Sequence, residues 1–319
     1  MSCSHIPNKP RSFARAVAVA IVLAAVGFVV PARAQLYVSD IGNNHIGAYN
    51  SNTGAVIPTF SATGNYPDSL AISGNSLYVS NGGTGSVTGL NATTGAPLAG
   101  FNTITGFSNP AGLALSGNNL YVADQATNAI SVYNATTGAL IAHNFFTTGL
   151  NQESGLAISG NTLYVANVQA FEVSEFNLTT GVLIGNISTG GNPAALAISG
   201  NALYVTLVGF PNQTNQLEAI DITTGLPLAG FTTITGLNPA GDAVLGNALY
   251  VTNNNTVEEF NAATGALINS NLISGLSAPS GLAIEAVPEA STWVIGALAS
   301  AALLAQILRA RRFSQQQTP

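Results

Sequence analysis

The sequence is short of cysteine and of charge. Its one cysteine, Cys3, and its one methionine, Met1, stand at the extreme N-terminus of a 319-residue chain. No disulfide can therefore staple the bulk of the chain, and thiol chemistry is excluded from it. Charged residues make up 6%, where an average soluble domain has about one quarter. The deficit is one-sided. All seven basic residues, Lys9, Arg11, Arg15, Arg33, Arg309, Arg311 and Arg312, fall within the first 33 or the last 11 positions. Between Gln35 and Ala286 there is no lysine or arginine, against twelve aspartates and glutamates. Nucleic acids, nucleotides and anionic lipids are held by cations that neutralise phosphate, so the middle of the chain is not built for them. Hydrophobic residues at 47% still supply a core, and the surface is left to Asn, Thr, Ser and Gly.

The two ends read as addresses. Lys9, Arg11 and Arg15 precede an apolar run over residues 16–30, closed by Ala32-Arg33-Ala34, the small-x-small pattern of a signal-peptidase site. At about 1.5 Å per helical residue the run reaches about 22 Å, short of the ~30 Å hydrocarbon core. Residues 1–34 are therefore expected to be a cleaved signal peptide, with signal peptidase as partner. At the other end stand Val287-Pro288-Glu289, an apolar stretch from Trp293 to Leu308, and the basic cluster Arg309, Arg311 and Arg312. These three parts, in order over residues 287–312, resemble the PEP-CTERM sorting signal of Gram-negative bacteria, with Ala290 where a second proline is usual. The resemblance implies a transmembrane helix with its arginines on the cytoplasmic side and processing by an exosortase. It also implies passage from the inner membrane to the cell surface or extracellular matrix. Residues 313–319 form a short tail.

The middle is one unit repeated six times. Leu-Tyr-Val recurs with its tyrosine at 37, 78, 121, 164, 204 and 250. An Asn/Asp-x-x-Thr-Gly motif comes after it each time, beginning at Asn50, Asn91, Asn134, Asn177, Asp221 and Asn261. Each unit reads as four short strands, A to D. In the third, strand A is 112–116, B 120–124, C 129–134 and D 140–145. Gly117-Asn118 makes the A–B turn and Asn134 to Gly138 the C–D turn, because Gly and Asn tolerate positive φ and the Asn side chain bonds its own backbone. No stretch of the middle has capped helical periodicity. Four strands per repeat of about 42 residues is a propeller blade. The first unit starts at strand B (Leu36–Asp40), and an orphan strand A (Ser280–Ala286) comes after the sixth. Joined, they complete a blade. The expected fold is all-β, a six-bladed β-propeller over residues 35–286, closed by its N- and C-terminal strands.

Asn109-Pro110-Ala111-Gly112-Leu113-Ala114 followed by Leu120-Tyr121-Val122-Ala123-Asp124 resembles an NHL repeat, and Tyr250-Val251-Thr252-Asn253 spells the YVTN motif. This resemblance implies a propeller. It does not specify an activity, since propellers host binding modules, lyases and hydrolases alike.

In a propeller the D–A and B–C loops share one end of the ring. The ends of strand B bring Asp40, Asn81, Asp124, Asn167 and Asn253 there; Asp68, Glu153 and Asp242 lie in or beside the D–A loops. Converging carboxylates suit a hard cation such as Ca²⁺, which takes six to eight oxygens, or the hydroxyls of a sugar. The plainer alternative is that each Asp or Asn caps the adjoining loop. No Asp-x-Asp-x-Asp-Gly loop, His-x-x-x-His pair or Gly-x-Ser-x-Gly elbow is present, so no catalytic residue or metal ligand is assigned. Glu175 and Glu259 stand where other units carry Ala48, Gly89, Val132 and Ala219, and are expected to be solvated. The function expected is a non-enzymatic surface or matrix protein whose acidic polar loops bind polysaccharide or a surface protein. The alternative is a metal-dependent propeller lyase or hydrolase acting on extracellular carbohydrate.

Overall fold

A computed structural model describes residues 33–209 and 215–287. The expected signal peptide up to Ala32, and the sorting signal from Pro288 and Glu289 through Arg309, Arg311 and Arg312, lie outside these residues. Among the described residues no helix is long and apolar enough to cross a membrane.

Residues 34–287 form one compact unit of six antiparallel sheets. Blade 2 consists of strands Pro67–Ser73, Ser76–Asn81, Ser86–Asn91 and Ile104–Thr105. Blade 3 is Pro110–Ser116, Asn119–Asp124, Ala129–Asn134 and Leu140–Phe146; blade 4 is Glu153–Ser159, Thr162–Asn167, Glu172–Asn177 and Leu183–Ser188. Blade 5 has Asn192–Ser199, Ala202–Val208 and Gln216–Asp221, with two short outer pieces, Leu226–Pro227 and Ile234–Thr235. Blade 6 is Asp242–Leu245, Ala248–Asn253, Thr256–Asn261 and Leu267–Ile273. Blade 1 unites the two ends of the ring: Pro279–Val287 is its strand A, hydrogen-bonded to Arg33–Asp40, then His45–Asn50 and Ala62–Thr63. Each strand A packs against the strands A of both neighbouring blades, so the ring is closed.

Both faces of every blade are covered by other blades, which is why Leu-Tyr-Val is buried throughout. Leu36, Leu77, Leu120, Leu163, Leu203 and Leu249 are all 0% exposed, each contributing about 1.5–3 kcal/mol of burial. The intervening tyrosines turn to the opposite face and are also buried. The two turns form as expected. Gly117 takes φ +57° at the A–B turn. At the C–D turn the Asn134 side-chain oxygen accepts from Thr136 N (3.0 Å) and Thr137 N (2.9 Å) while Gly138 takes φ +74°. Strand A starts two residues earlier than expected, at Pro110 in blade 3, and bulges between Pro110 and Leu113. Small residues are required there: a Cβ at Gly112 would overlap the Ser154 carbonyl oxygen of the next blade, and one at Gly241 the carbonyl oxygen of Ser280.

The blades fall into two kinds. In blades 1, 2 and 5 the residue paired with the tyrosine is small, Ala48, Gly89 or Ala219. A phenylalanine fills the gap edge-on, giving the pairs Tyr37–Phe60, Tyr78–Phe101 and Tyr204–Phe231 at 5.3, 5.4 and 5.8 Å. Strand D is then reduced to short pieces of two residues. In blades 3, 4 and 6 strand D is six or seven residues long, and the tyrosine pairs with Val132, Glu175 or Glu259. Glu175 and Glu259 are thus half-buried rather than solvated, and burial pushes both carboxyls up.

Candidate functional site

The acidic and amide residues ending strand B turn out to be fasteners. Asp124 accepts from Asn109 N (2.9 Å) and Ser108 N (3.2 Å). Asp40 accepts from Ser277 N (2.9 Å) and the Asn43 side chain (2.7 Å). Asn81 accepts from Asn65 N, Asn167 from Asn151 N and Asn253 from Asn238 N, at 3.1, 2.8 and 2.8 Å. In all five cases the side chain ties the end of strand B to the loop entering strand A of its own blade. Blade 5 puts the fully buried Leu207 at this place instead. Asp and Asn serve alike because only an acceptor is needed, and their oxygens are spent on the backbone.

The other three acids occupy the inner ends of the blades, and two of them break the repeat. Glu153 stands opposite Asn167, the place taken by Pro67 opposite Asn81 and Pro110 opposite Asp124. Its side chain is 0% exposed, and neither carboxylate oxygen has a hydrogen-bond partner. Burial pushes its carboxyl up to about 7, a rise that the nearby main-chain N–H groups of Glu153 and Ala129 oppose and Asp124 slightly reinforces. Asp242 stands opposite Val251. The same register slot holds Leu70, Leu113, Leu156 and Leu196, opposite Val79, Val122, Val165 and Val205. Asp242 is buried with both oxygens unpartnered, and burial raises its carboxyl well above the usual carboxylate range. Asp68 accepts a hydrogen bond from the Ser280 hydroxyl. Burial raises Asp68 and that bond partly opposes the rise. Asp68, Asp242, Ser154 and Ser280 line a cavity of about 80 Å³ encircled by the six strands A. The five acids do not converge: among the described residues no group of three or more His, Asp or Glu is placed to hold a metal ion.

What gathers on the loop end is amide. Asn109 donates to Gln125 (2.7 Å), Gln169 to Gln152 (3.0 Å) and Asn238 to Asn254 (3.3 Å). Each pair links the loop entering strand A to the loop leaving strand B of the same blade; five of the six residues are exposed and Gln125 is half-buried. Two aromatic side chains stand on these loops, Tyr66 at 59% and Phe171 at 44% exposure. Both take positive φ, +52° and +58°, and Tyr66 is anchored by its N–H to the Asn44 side-chain oxygen (2.8 Å). Motif spacing does not reveal this arrangement; its trace in the sequence is a bulky aromatic in each of two loops, after Gly64-Asn65 and after Gln169-Ala170. His45 and His143 lie on blades 1 and 3, half-buried and exposed respectively.

Six antiparallel blades closed into a ring with a polar loop end define a β-propeller. A family model described as outer membrane protein assembly factor BamB matches residues 42–271, and the chain belongs to that family. No curated protein sequence matches it. Among solved structures, a chain of the nidogen/laminin complex is similar at TM-score 0.65 and 16% identity, over 79% of this chain and 98% of that one. A Bacteroides caccae protein of unknown function is similar at TM-score 0.57 and 16% identity, with the same coverage of 79% and 98%. Kuenenia stuttgartiensis hydrazine synthase is similar at TM-score 0.52 and 21% identity, over 61% of this chain and 62% of that one. At such identities the likeness is one of fold.

Proposed function

We propose that this chain is a non-enzymatic, exported binding propeller of the cell surface or extracellular matrix, whose loop end recognises neutral polysaccharide. The observation that carries the proposal is the set of largely exposed, pre-paired amides beside Tyr66 and Phe171. Amides donate to and accept from hydroxyls, and an aromatic face covers the C–H side of a sugar ring. Pre-pairing lowers the ordering cost of binding. Export is supported by the signal peptide pattern ending at Ala34. Surface delivery through signal peptidase and an exosortase is supported by the Val287-Pro288-Glu289 motif, the apolar stretch beyond it and the terminal arginines. Membership of a family described by an outer membrane protein assembly factor agrees with a role in the cell envelope. The test is a glycan array and a pull-down from matrix extract with the exported chain, alongside a Tyr66→Ala/Phe171→Ala variant. Capture of polysaccharide that the variant loses is the expected result; an array with no glycan signal would remove the proposal.

A second function, that of a metal-dependent lyase or hydrolase for extracellular carbohydrate, is favoured by the unpartnered carboxylate of Asp242 beside Asp68 and Ser280. Titration calorimetry with Ca²⁺ decides between the two: heat of binding that disappears in Asp242→Asn would support it, and no heat would remove it.

A further inference from the structure

Three of the six blade junctions are fastened by tyrosines. Tyr37 donates its hydroxyl to Ala92 O (2.8 Å), Tyr78 to Ala135 O (2.6 Å) and Tyr204 to Ala262 O (2.8 Å). The acceptor in each case is the residue after the turn asparagine of the next blade. At the junctions following blades 3, 4 and 6 the corresponding residues are Leu178, Ile222 and Ser51, and Tyr121, Tyr164 and Tyr250 make no such bond to a main-chain carbonyl. Tyr121 is 3% exposed, and its hydroxyl has no protein partner among the described residues, although its ring packs against Phe146 at 6.0 Å. Nor is it capped in the way other blades cap theirs. Blades 1, 2 and 5 lay a phenylalanine on the tyrosine, and blades 4 and 6 pair it with a glutamate. Blade 3 pairs it with Val132 and sets Phe146 against its ring, tilted at 6.0 Å.

These departures coincide with a cavity of about 420 Å³ between blades 3 and 4, at the end of the ring carrying the A–B and C–D turns. Its volume falls in the range of small-molecule sites, about 300–1,000 Å³. Tyr121, Val132, Ile141, Phe145 and Leu178 form one part of its wall, and Ser116, Asn119, Asn161 and Thr179 form another. No charged side chain lines it. A charged ligand would give up its water with nothing to offset the loss. A wholly apolar ligand would leave the Tyr121 hydroxyl unpaired. A cyclic, neutral polyhydroxy compound satisfies both sides: its C–H face meets Phe145 and Ile141, and its hydroxyls meet Tyr121, Asn119 and Asn161.

We infer that the blade 3–blade 4 cavity is a binding site for a neutral sugar ring, with Tyr121 as its buried anchor. The site is separate from the loop end and does not rest on the function proposed for it.

The test is saturation-transfer NMR and calorimetry on the full chain with glucose, maltose and cellobiose, with glucuronate and the apolar dye ANS as contrasts. At least one neutral sugar should bind, and glucuronate and ANS should not displace it. Tyr121→Phe should weaken binding about tenfold, the value of one hydrogen bond to a buried donor. Leu178→Ala should restore the tyrosine fastening, remove sugar binding and leave the melting temperature no lower. Tyr78→Phe, at a junction with its bond intact in the parent, should leave binding unchanged. No binding of any of the three sugars up to tens of millimolar would overturn the inference. So would ANS displacing the sugar, or affinity unchanged in both Tyr121→Phe and Leu178→Ala when circular dichroism shows both variants folded.

Discussion

Asp242 faces Val251 across the first two strands of blade 6, in the slot where Leu70 faces Val79. A carboxyl with two unpartnered oxygens has replaced an interblade leucine. Asp242→Leu is therefore expected to stabilise the ring. It removes an unsatisfied buried polar group and adds apolar burial, together about 1–3 kcal/mol. Thermal unfolding at pH 8 should show a midpoint raised by several degrees, about 2–4 °C per kcal/mol for a domain of this size. A lowered midpoint would mean that the carboxylate has a partner that the fold alone does not supply.

Glu153 makes stability pH-dependent in an unusual direction. Its carboxyl rises from 4.5 in the free state to about 7 in the fold, so the folded chain holds a proton that the unfolded chain has already lost. The stabilisation is complete below pH 4.5 and is lost as pH rises to 7 and beyond, to the extent of about 3 kcal/mol. Asp68 and Asp242, also raised, act in the same sense. Urea unfolding at pH 5 and pH 8 should give the higher free energy at pH 5. Glu153→Gln should shrink the difference; if it leaves the difference whole, Glu153 is not the group responsible.

Asp124 needs only its acceptor oxygens. Asp124→Asn is expected to change stability by less than about 0.5 kcal/mol, as Asn already does this work at positions 81, 167 and 253. Asp124→Ala strands the N–H groups of Ser108 and Asn109 and should cost about 1–3 kcal/mol. Equal losses for the two variants in urea titrations would point to a role for the charge itself.

Strand Pro279–Val287 should be indispensable for folding, and the residues beyond Val287 dispensable. A chain ending at residue 278 lacks strand A of blade 1 and bares Leu36 and Val38, both 0% exposed in the ring. Such a chain should bind ANS and be cut rapidly by protease, whereas one ending at residue 287 should keep the β-sheet circular dichroism and the protease resistance of the parent. Resistance in the shorter chain would mean that the ring does not depend on its seam.

Repeat number, the buried strands B, turn chemistry and the seam between 36–40 and 280–286 were legible in the order of residues, because each is a local or periodic property; the early start of strand A and the shortened strand D of blades 1, 2 and 5 were not. Leu-Tyr-Val can be nothing but a buried strand, and Asn134 to Gly138 nothing but a turn. The missing first strand and the surplus last one emerge from counting. The division of blades into two kinds was visible only as the odd glutamates 175 and 259. Its cause, a phenylalanine filling the space beside an alanine or glycine, joins residues on different strands.

The use of each polar group was decided by the tertiary structure. Asp40, Asp68, Asp124, Glu153 and Asp242 look alike along the chain. In the fold two of them bind backbone N–H groups, one bonds a serine on the closing strand, and two are buried without partners. Likewise the shared Leu-Tyr-Val motif does not show that Tyr78 finds the carbonyl oxygen of Ala135 in the next blade while Tyr121 finds no such acceptor. Burial and hydrogen bonding depend on what the neighbouring blade presents, and that is settled only once the ring has closed.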